Sequence, residues 1–233
     1  KMKKISQILE NLLSFFYPKL CVSCGNALRH RENFFCLACL QNLPETEFHK
    51  IEYNPLIYNF MGRVRVENVF SFLYYRKGNV VQDILHEIKY KGGKELAEYL
   101  GFLYGVDLLK HKQLEDIDII IPIPLHKRKE KKRGYNQSEW IAKGLSSAFS
   151  KPYSNEILIR KDYTETQTKK GRFKRWENVK NVFEVTQQES IQNKHILLCD
   201  DVLTTGATLE AAITHFVNIE GVKVSVVTLA AAM

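Results

Sequence analysis

The sequence predicts an α/β fold, a largely parallel sheet with flanking helices, preceded by a small cysteine-rich module. Three observations carry this reading. Short apolar runs alternate with stretches of helical periodicity, the order that places crossover helices between parallel strands. The apolar run 196–199 leads directly into Asp200-Asp201 and the turn Thr204-Thr205-Gly206, and a helix is expected from Ala207. Two Cys-x-x-Cys pairs, Cys21 with Cys24 and Cys36 with Cys39, stand near the start of the chain.

Ile5, Ile8, Leu9, Leu12, Leu13 and Phe16 recur at helical spacing, so residues 1–18 are expected to carry an amphipathic helix that docks or packs and ends before Pro18. Polar residues interrupt that stretch and no small-residue cleavage site follows it, so it does not read as a signal peptide. No apolar run reaches the roughly 20 residues needed to span a bilayer. The expected compartment is the cytoplasm, with a peripheral position at the inner membrane as the alternative.

Residues 19–44 are expected to form a zinc ribbon. Eleven residues separate the two Cys-x-x-Cys pairs, and two such pairs are a strong zinc signal. Gly25 permits a tight turn after Cys24, and four thiolates leave no open coordination position, so the Zn²⁺ is structural. Disulfides are the alternative, disfavoured by a reducing compartment. So small a module buries little core, and the metal supplies its folding energy.

The remainder, residues 45–233, reads as the α/β domain. Residues 45–68 cross between modules. Strands are expected at 69–75, 117–123, 157–160, 196–199 and 222–229, and helices at 80–91, 94–109, 137–150 and 207–219. Cys199, in the apolar strand, reads as a small core residue. The strand is expected to end there, leaving Asp200 and Asp201 at its carboxyl end, where open α/β sheets bind ligands. Gly206 allows close approach of an anion, backbone N–H groups at the helix start point the same way, and Thr204, Thr205 and Thr208 add hydroxyl donors. A phosphate fits such a nest while the two carboxylates accept hydrogen bonds from vicinal hydroxyls.

Residues 196–208 resemble the phosphoribosyl-pyrophosphate (PRPP) signature of type I phosphoribosyltransferases. The resemblance implies that Asp200 and Asp201 hold the ribose hydroxyls and act in catalysis, that Thr204, Thr205, Gly206, Ala207 and Thr208 bind the 5-phosphate, and that Mg²⁺ bridges ribose and pyrophosphate. Residues 118–128 resemble the first core strand and pyrophosphate loop in the version seen in amidophosphoribosyltransferases, which assigns the pyrophosphate to His126, Lys127 and Arg128, with Arg172 from a later loop. Arg133-Gly-Tyr-Asn-Gln137 and the segment carrying Thr166-Gln167, Arg172, Arg175 and Asn178 complete a set similar to the ComF-type competence proteins. That likeness implies a zinc ribbon ahead of a transferase-like domain. It also implies handling of incoming single-stranded DNA beside a helicase-type ATPase and a membrane DNA channel.

The formal net charge of +8 is consistent with a polyanionic partner. Two cationic stretches carry much of it. Lys127, Arg128, Lys131, Lys132 and Arg133 form one, and Lys169, Lys170 and Arg175 belong to the other. Three readings compete: a solvated charged loop, a clamp on pyrophosphate, or a track for a nucleic-acid backbone on which Tyr135 and Trp176 stack bases. Gly92-Gly93-Lys94 lacks the spacing of a phosphate-binding loop, so the chain is not expected to be an ATP-driven motor. Two functions stay open: a DNA-uptake protein with a PRPP pocket, and a phosphoribosyltransferase whose acceptor the sequence does not identify.

Overall fold

The computed structural model describes residues 18–161 and 182–232. The expected amphipathic helix before Pro18 lies outside the described residues, as does the segment carrying Lys169, Lys170, Arg172, Arg175 and Trp176.

A four-stranded, wholly parallel sheet forms the centre. Its strands are β1 (Val69–Tyr75), β2 (Ile119–Pro122), β5 (His195–Leu203) and β6 (Lys223–Ala232), in the spatial order β1-β6-β5-β2. Alternate residues of the strands enter two different cores. Leu197, Cys199, Val227 and Leu229 pack on one side, and Ile196, Leu198, Val224 and Val226 on the other. A strand buried on both faces reads as a continuous apolar run, which is why the apolar runs located these segments.

The first core lies under α2 (Val80–Tyr90), α3 (Lys94–Lys110) and α5 (Gln137–Phe149). The α3 and α5 helices approach unusually closely. A Cβ on Gly144 would lie 2.0 Å from the Glu98 carbonyl oxygen, and one on Gly101 would lie 2.5 Å from that of Ile141. Only glycine permits this contact, which fixes where the first turn of α5 meets the sheet. The second core holds Phe60, Phe183 and Phe216, together with Leu209, Ala212 and Ile213 from α6 (Ala207–Ile213).

The cysteine module is joined to the first core and not suspended from it. Cys21, Phe35 and Leu43 belong to that cluster, and the Phe34 ring lies 5.3 Å from that of Tyr99 on α3. A short helix, α1 (Leu37–Gln41), carries Cys39.

Several expectations change. Residues 157–160 do not join the main sheet. Instead β3 (Leu158–Arg160) pairs antiparallel with β4 (Phe183–Val185) in a separate two-stranded sheet. The basic segment after His126 is the helix α4 (Lys127–Arg133) and not a loop. His126 caps it by accepting the Arg128 backbone N–H at its Nδ1 over 3.1 Å, and Gly134 ends it at φ 80°. The expected helix from Ala207 stops at Ile213, after seven residues.

Candidate functional site

The strand β5 does not end at Cys199. It runs on to Leu203, with Asp200 opposite Thr228 and Val202 opposite Ala230 of β6. What ends is its other neighbour, because β2 stops with Pro122 opposite Cys199. From Asp200 onward, β5 is hydrogen-bonded in the sheet on one side alone. The two carboxylates therefore sit at the open carboxyl-end edge of the sheet.

The first turn of α5 holds both of them. Gln137 Nε2 donates to Asp201 Oδ2 over 2.8 Å, and Ser138 Oγ donates to Asp200 Oδ1 over 2.8 Å. Asn136 sets this turn by accepting the Ser138 backbone N–H at 3.1 Å and donating to the Ile123 carbonyl at 3.0 Å. Lys89 of α2 adds a cation 3.0 Å from Asp201 Oδ2. Burial, then the adjacent Asp201 charge, push the Asp200 carboxyl up from 3.8 to about 7, against the donors that hold it. Arg160 of β3 stands within the field of Asp200, which offsets part of the effect of its own burial.

The turn after β5 encloses a small cavity of about 40 Å³ bordered by Asp200, Thr204, Thr205, Gly206, Ala207 and Thr208. Thr204, Thr205 and Thr208 are exposed to it. Gly206 is held at φ 79°, and a Cβ there would press to 3.3 Å of the buried Phe60 ring. So short a helix as α6 adds little dipole, which leaves the turn's own N–H groups and hydroxyls as the groups that could hold an anion.

Next to the carboxylates lies a larger cleft of about 330 Å³. Tyr75, His86, Lys89, Tyr90, Val202 and Thr204 are among its walls. It shares Thr204 and Val202 with the turn and Lys89 with Asp201. Tyr90 is 57% exposed, and the Arg133 guanidinium lies over its ring at 5.5 Å. Arg133, the last residue of α4, thus reaches the rim of this cleft. Lys127, Arg128, Lys131 and Lys132 are exposed along α4. Tyr135 is placed differently from the expectation of base stacking. It is 7% exposed, its hydroxyl donates to the Ile88 carbonyl, and Lys94 lies over its ring at 5.2 Å. Its ring is packed into the α2–α3 junction and is not offered to a base.

Sequence reasoning assigned no individual role to Lys89, Gln137, Ser138 or Arg160. Gln137 and Ser138 had a local signal, since Asn136 is a helix-capping residue placed directly before them. Lys89 and Arg160 had none, because only tertiary packing brings them near the Asp pair.

At the other module, one sulfur from each of Cys21, Cys24, Cys36 and Cys39 lies within 4.8 Å of the others. Burial pushes the Cys21 thiol up, but N–H groups of Cys24, Cys36 and Ser23 outweigh it and leave it at about 6. Ser23 lowers Cys39, but the neighbouring sulfurs and burial together drive it to about 12. Four sulfurs this close form a donor set that fits a metal such as Zn²⁺, which would hold them as thiolates.

The phosphoribosyl transferase domain family matches residues 135–233, the part that contains the carboxylates and the turn. The DNA utilization protein YhgH of Escherichia coli O157:H7 is 30% identical over 54% of this chain and 56% of its own length. Competence protein F of Haemophilus influenzae is 35% identical over 50% of this chain and 51% of its own. Competence protein ComFC of Bacillus subtilis is 26% identical over 83% of this chain and 76% of its own. The chain spans about half the length of the first two. Residues 135–233 thus match a phosphoribosyl transferase domain. Beyond that domain, the chain is similar to the ComF-type competence proteins.

Proposed function

We propose that this protein handles incoming single-stranded DNA during natural transformation and carries a PRPP-binding pocket. The observation that carries this reading is the continuity of three features: the Asp200-Asp201 edge, the Tyr75–Tyr90 cleft beside it, and the cationic α4 whose Arg133 covers Tyr90. The names of the relatives, two competence proteins and a DNA utilization protein, support it.

In this account Asp200 and Asp201 orient the ribose hydroxyls, and the Thr204–Thr208 turn takes the 5-phosphate. His126, Lys127, Arg128 and Arg172 face the pyrophosphate. Mg²⁺ supplies charge neutralisation for the diphosphate. Unpaired DNA follows Lys127, Arg128, Lys131, Lys132 and Arg133 by phosphate contact, with Lys169, Lys170, Arg175 and Trp176 as further contacts. A helicase-type ATPase and a membrane DNA channel are the partners that supply force and passage. Among the described residues, no helix is long and apolar enough to cross a membrane. The working place is the cytoplasm or the cytoplasmic face of the inner membrane.

The second reading is an active transferase that passes ribose 5-phosphate from PRPP to an acceptor. The cleft of about 330 Å³ beside Asp201 favours it, since an acceptor bound there would adjoin the carboxylate pair. Such chemistry rests on positioning and electrostatics and asks for no protein nucleophile.

The test is single-stranded oligonucleotide affinity measured across salt concentrations. The expected affinity falls steeply with salt, and charge reversal at Lys131, Lys132 and Arg133 weakens binding and flattens the slope. Affinity that is independent of salt and of these residues overturns the DNA reading.

A further inference from the structure

At the end of the strands opposite Asp200-Asp201, three side chains converge without an assigned role. His49 lies in a short turn (Phe48–Lys50) and packs its ring edge-on to Phe70, near the start of β1, at 6.4 Å between centroids. Asp107 and His111 lie one helical turn apart at the end of α3. His49 is 4% exposed, and neither of its ring nitrogens makes a hydrogen bond. Its Nε2 lies 2.9 Å from Asp107 Oδ2, yet that oxygen also has no hydrogen bond, so the two face each other outside hydrogen-bonding geometry. His111 Nδ1 sits 2.9 Å from the Asp107 carbonyl oxygen and 3.6 Å from its Oδ1, and the two imidazole centroids are 5.0 Å apart. One ligand atom from each of the three residues lies within 4.8 Å of the others.

Buried polar atoms are ordinarily paired, because leaving them dry and unpaired is costly. Here both nitrogens of a buried imidazole and a carboxylate oxygen are left over at one point.

We propose that His49, Asp107 and His111 form a second metal site, separate from the four cysteines, that takes a divalent transition ion of the zinc class. Two imidazole nitrogens and one carboxylate oxygen are borderline donors. They suit Zn²⁺, Co²⁺ or Ni²⁺ and not Mg²⁺ or Ca²⁺, which take oxygen ligands. His111 Nδ1, donating to the Asp107 carbonyl, leaves Nε2 as the coordinating atom and fixes the ring, the usual outer support of a metal-bound histidine. His49 comes from the segment that leaves the cysteine module, while Asp107 and His111 come from the helix against which that module packs. An ion here ties the connecting segment to α3. Its fourth position opens toward solvent on the His111 side, where the ring is partly exposed.

The test uses the full chain, stripped with a chelator, reloaded with Co²⁺ and desalted, with metal per chain measured by elemental analysis and the absorption spectrum recorded. The expected wild type holds two ions, one giving the intense thiolate-to-cobalt charge-transfer band and one giving only weaker ligand-field bands. His111→Gln alters an exposed position and is expected to lose one ion, keep the thiolate band and retain the wild-type circular dichroism spectrum. Asp107→Asn is expected to do the same. A wild type with a single ion accounted for by the thiolate band overturns the proposal, as does a His111→Gln variant that still holds two. A single ion without the thiolate band, lost in His111→Gln, supports this site and counts against the cysteine site.

Discussion

Gln137 and Asp201, 64 positions apart in sequence, meet across a 2.8 Å hydrogen bond that joins the first turn of α5 to the edge of the sheet. Gln137 is buried, and Lys89 supplies the other donor to the same carboxylate oxygen. Removing the amide leaves a buried charge with one donor fewer. Gln137→Ala is expected to lower stability by about 1–3 kcal/mol, measured by urea unfolding, and to weaken PRPP binding. Unchanged stability and affinity would mean that Lys89 alone suffices to hold Asp201.

Asp200 gives a pH dependence with a definite sign. Its carboxyl is raised from 3.8 to about 7 in the folded protein, chiefly by burial and then by Asp201. Between those values the folded state holds a proton that the unfolded state has released, so this group's contribution to stability is present below about pH 4 and is lost as pH rises through about 7. Asp200→Asn removes the titration. The variant is expected to gain thermal stability over wild type at pH 8 and to show little gain near pH 4. A gain that is the same at both pH values contradicts the shift.

The close crossing of α3 and α5 makes a third prediction. Alanine at Gly144 places a methyl group against the Glu98 carbonyl, where the helix backbones already touch. Gly144→Ala is expected to cost about 1–3 kcal/mol by overpacking, despite the better helix propensity of alanine. It is also expected to weaken PRPP binding, because α5 carries Gln137 and Ser138. A neutral or stabilising effect in urea melts would show that the helices part without cost.

Much of the site was legible because it is local in sequence. The Asp200-Asp201 pair, the Thr204–Thr208 turn and the four cysteines each lie within a short segment whose spacing encodes its geometry. The core strands were legible because both faces of the sheet are covered and their runs are apolar throughout. The limits of β5 were not, since Asp200 to Leu203 remain strand by pairing with β6, and nothing in the segment itself announces that partner. The antiparallel β3–β4 pair was missed for a similar reason, as Ile157 to Arg160 has the composition of a core strand and its pairing is a tertiary choice. The helix α4 is wholly polar, so no apolar period marks it, although His126 and Gly134 cap it at both ends. The cluster of His49, Asp107 and His111 was invisible because a turn and a distant helix end supply it.

Metal removal tests the cysteine module. Its Cys21, Phe35 and Leu43 belong to the same core as α3, so stripping the ion should loosen more than the ribbon itself. Freshly purified protein is expected to contain zinc, and chelation is expected to lower the melting temperature by several degrees. Protein without metal that melts at the same temperature before and after chelator would rule out a structural zinc.

We propose that the edge formed by Asp200, Asp201 and the Thr204–Thr208 turn is a PRPP pocket. Isothermal calorimetry of PRPP with Mg²⁺ tests it most directly, comparing wild type with the Asp200→Asn, Asp201→Asn double variant. Saturable binding by wild type, lost or strongly weakened in the folded variant, is the expected result. No binding by wild type, or equal binding by both, would contradict it.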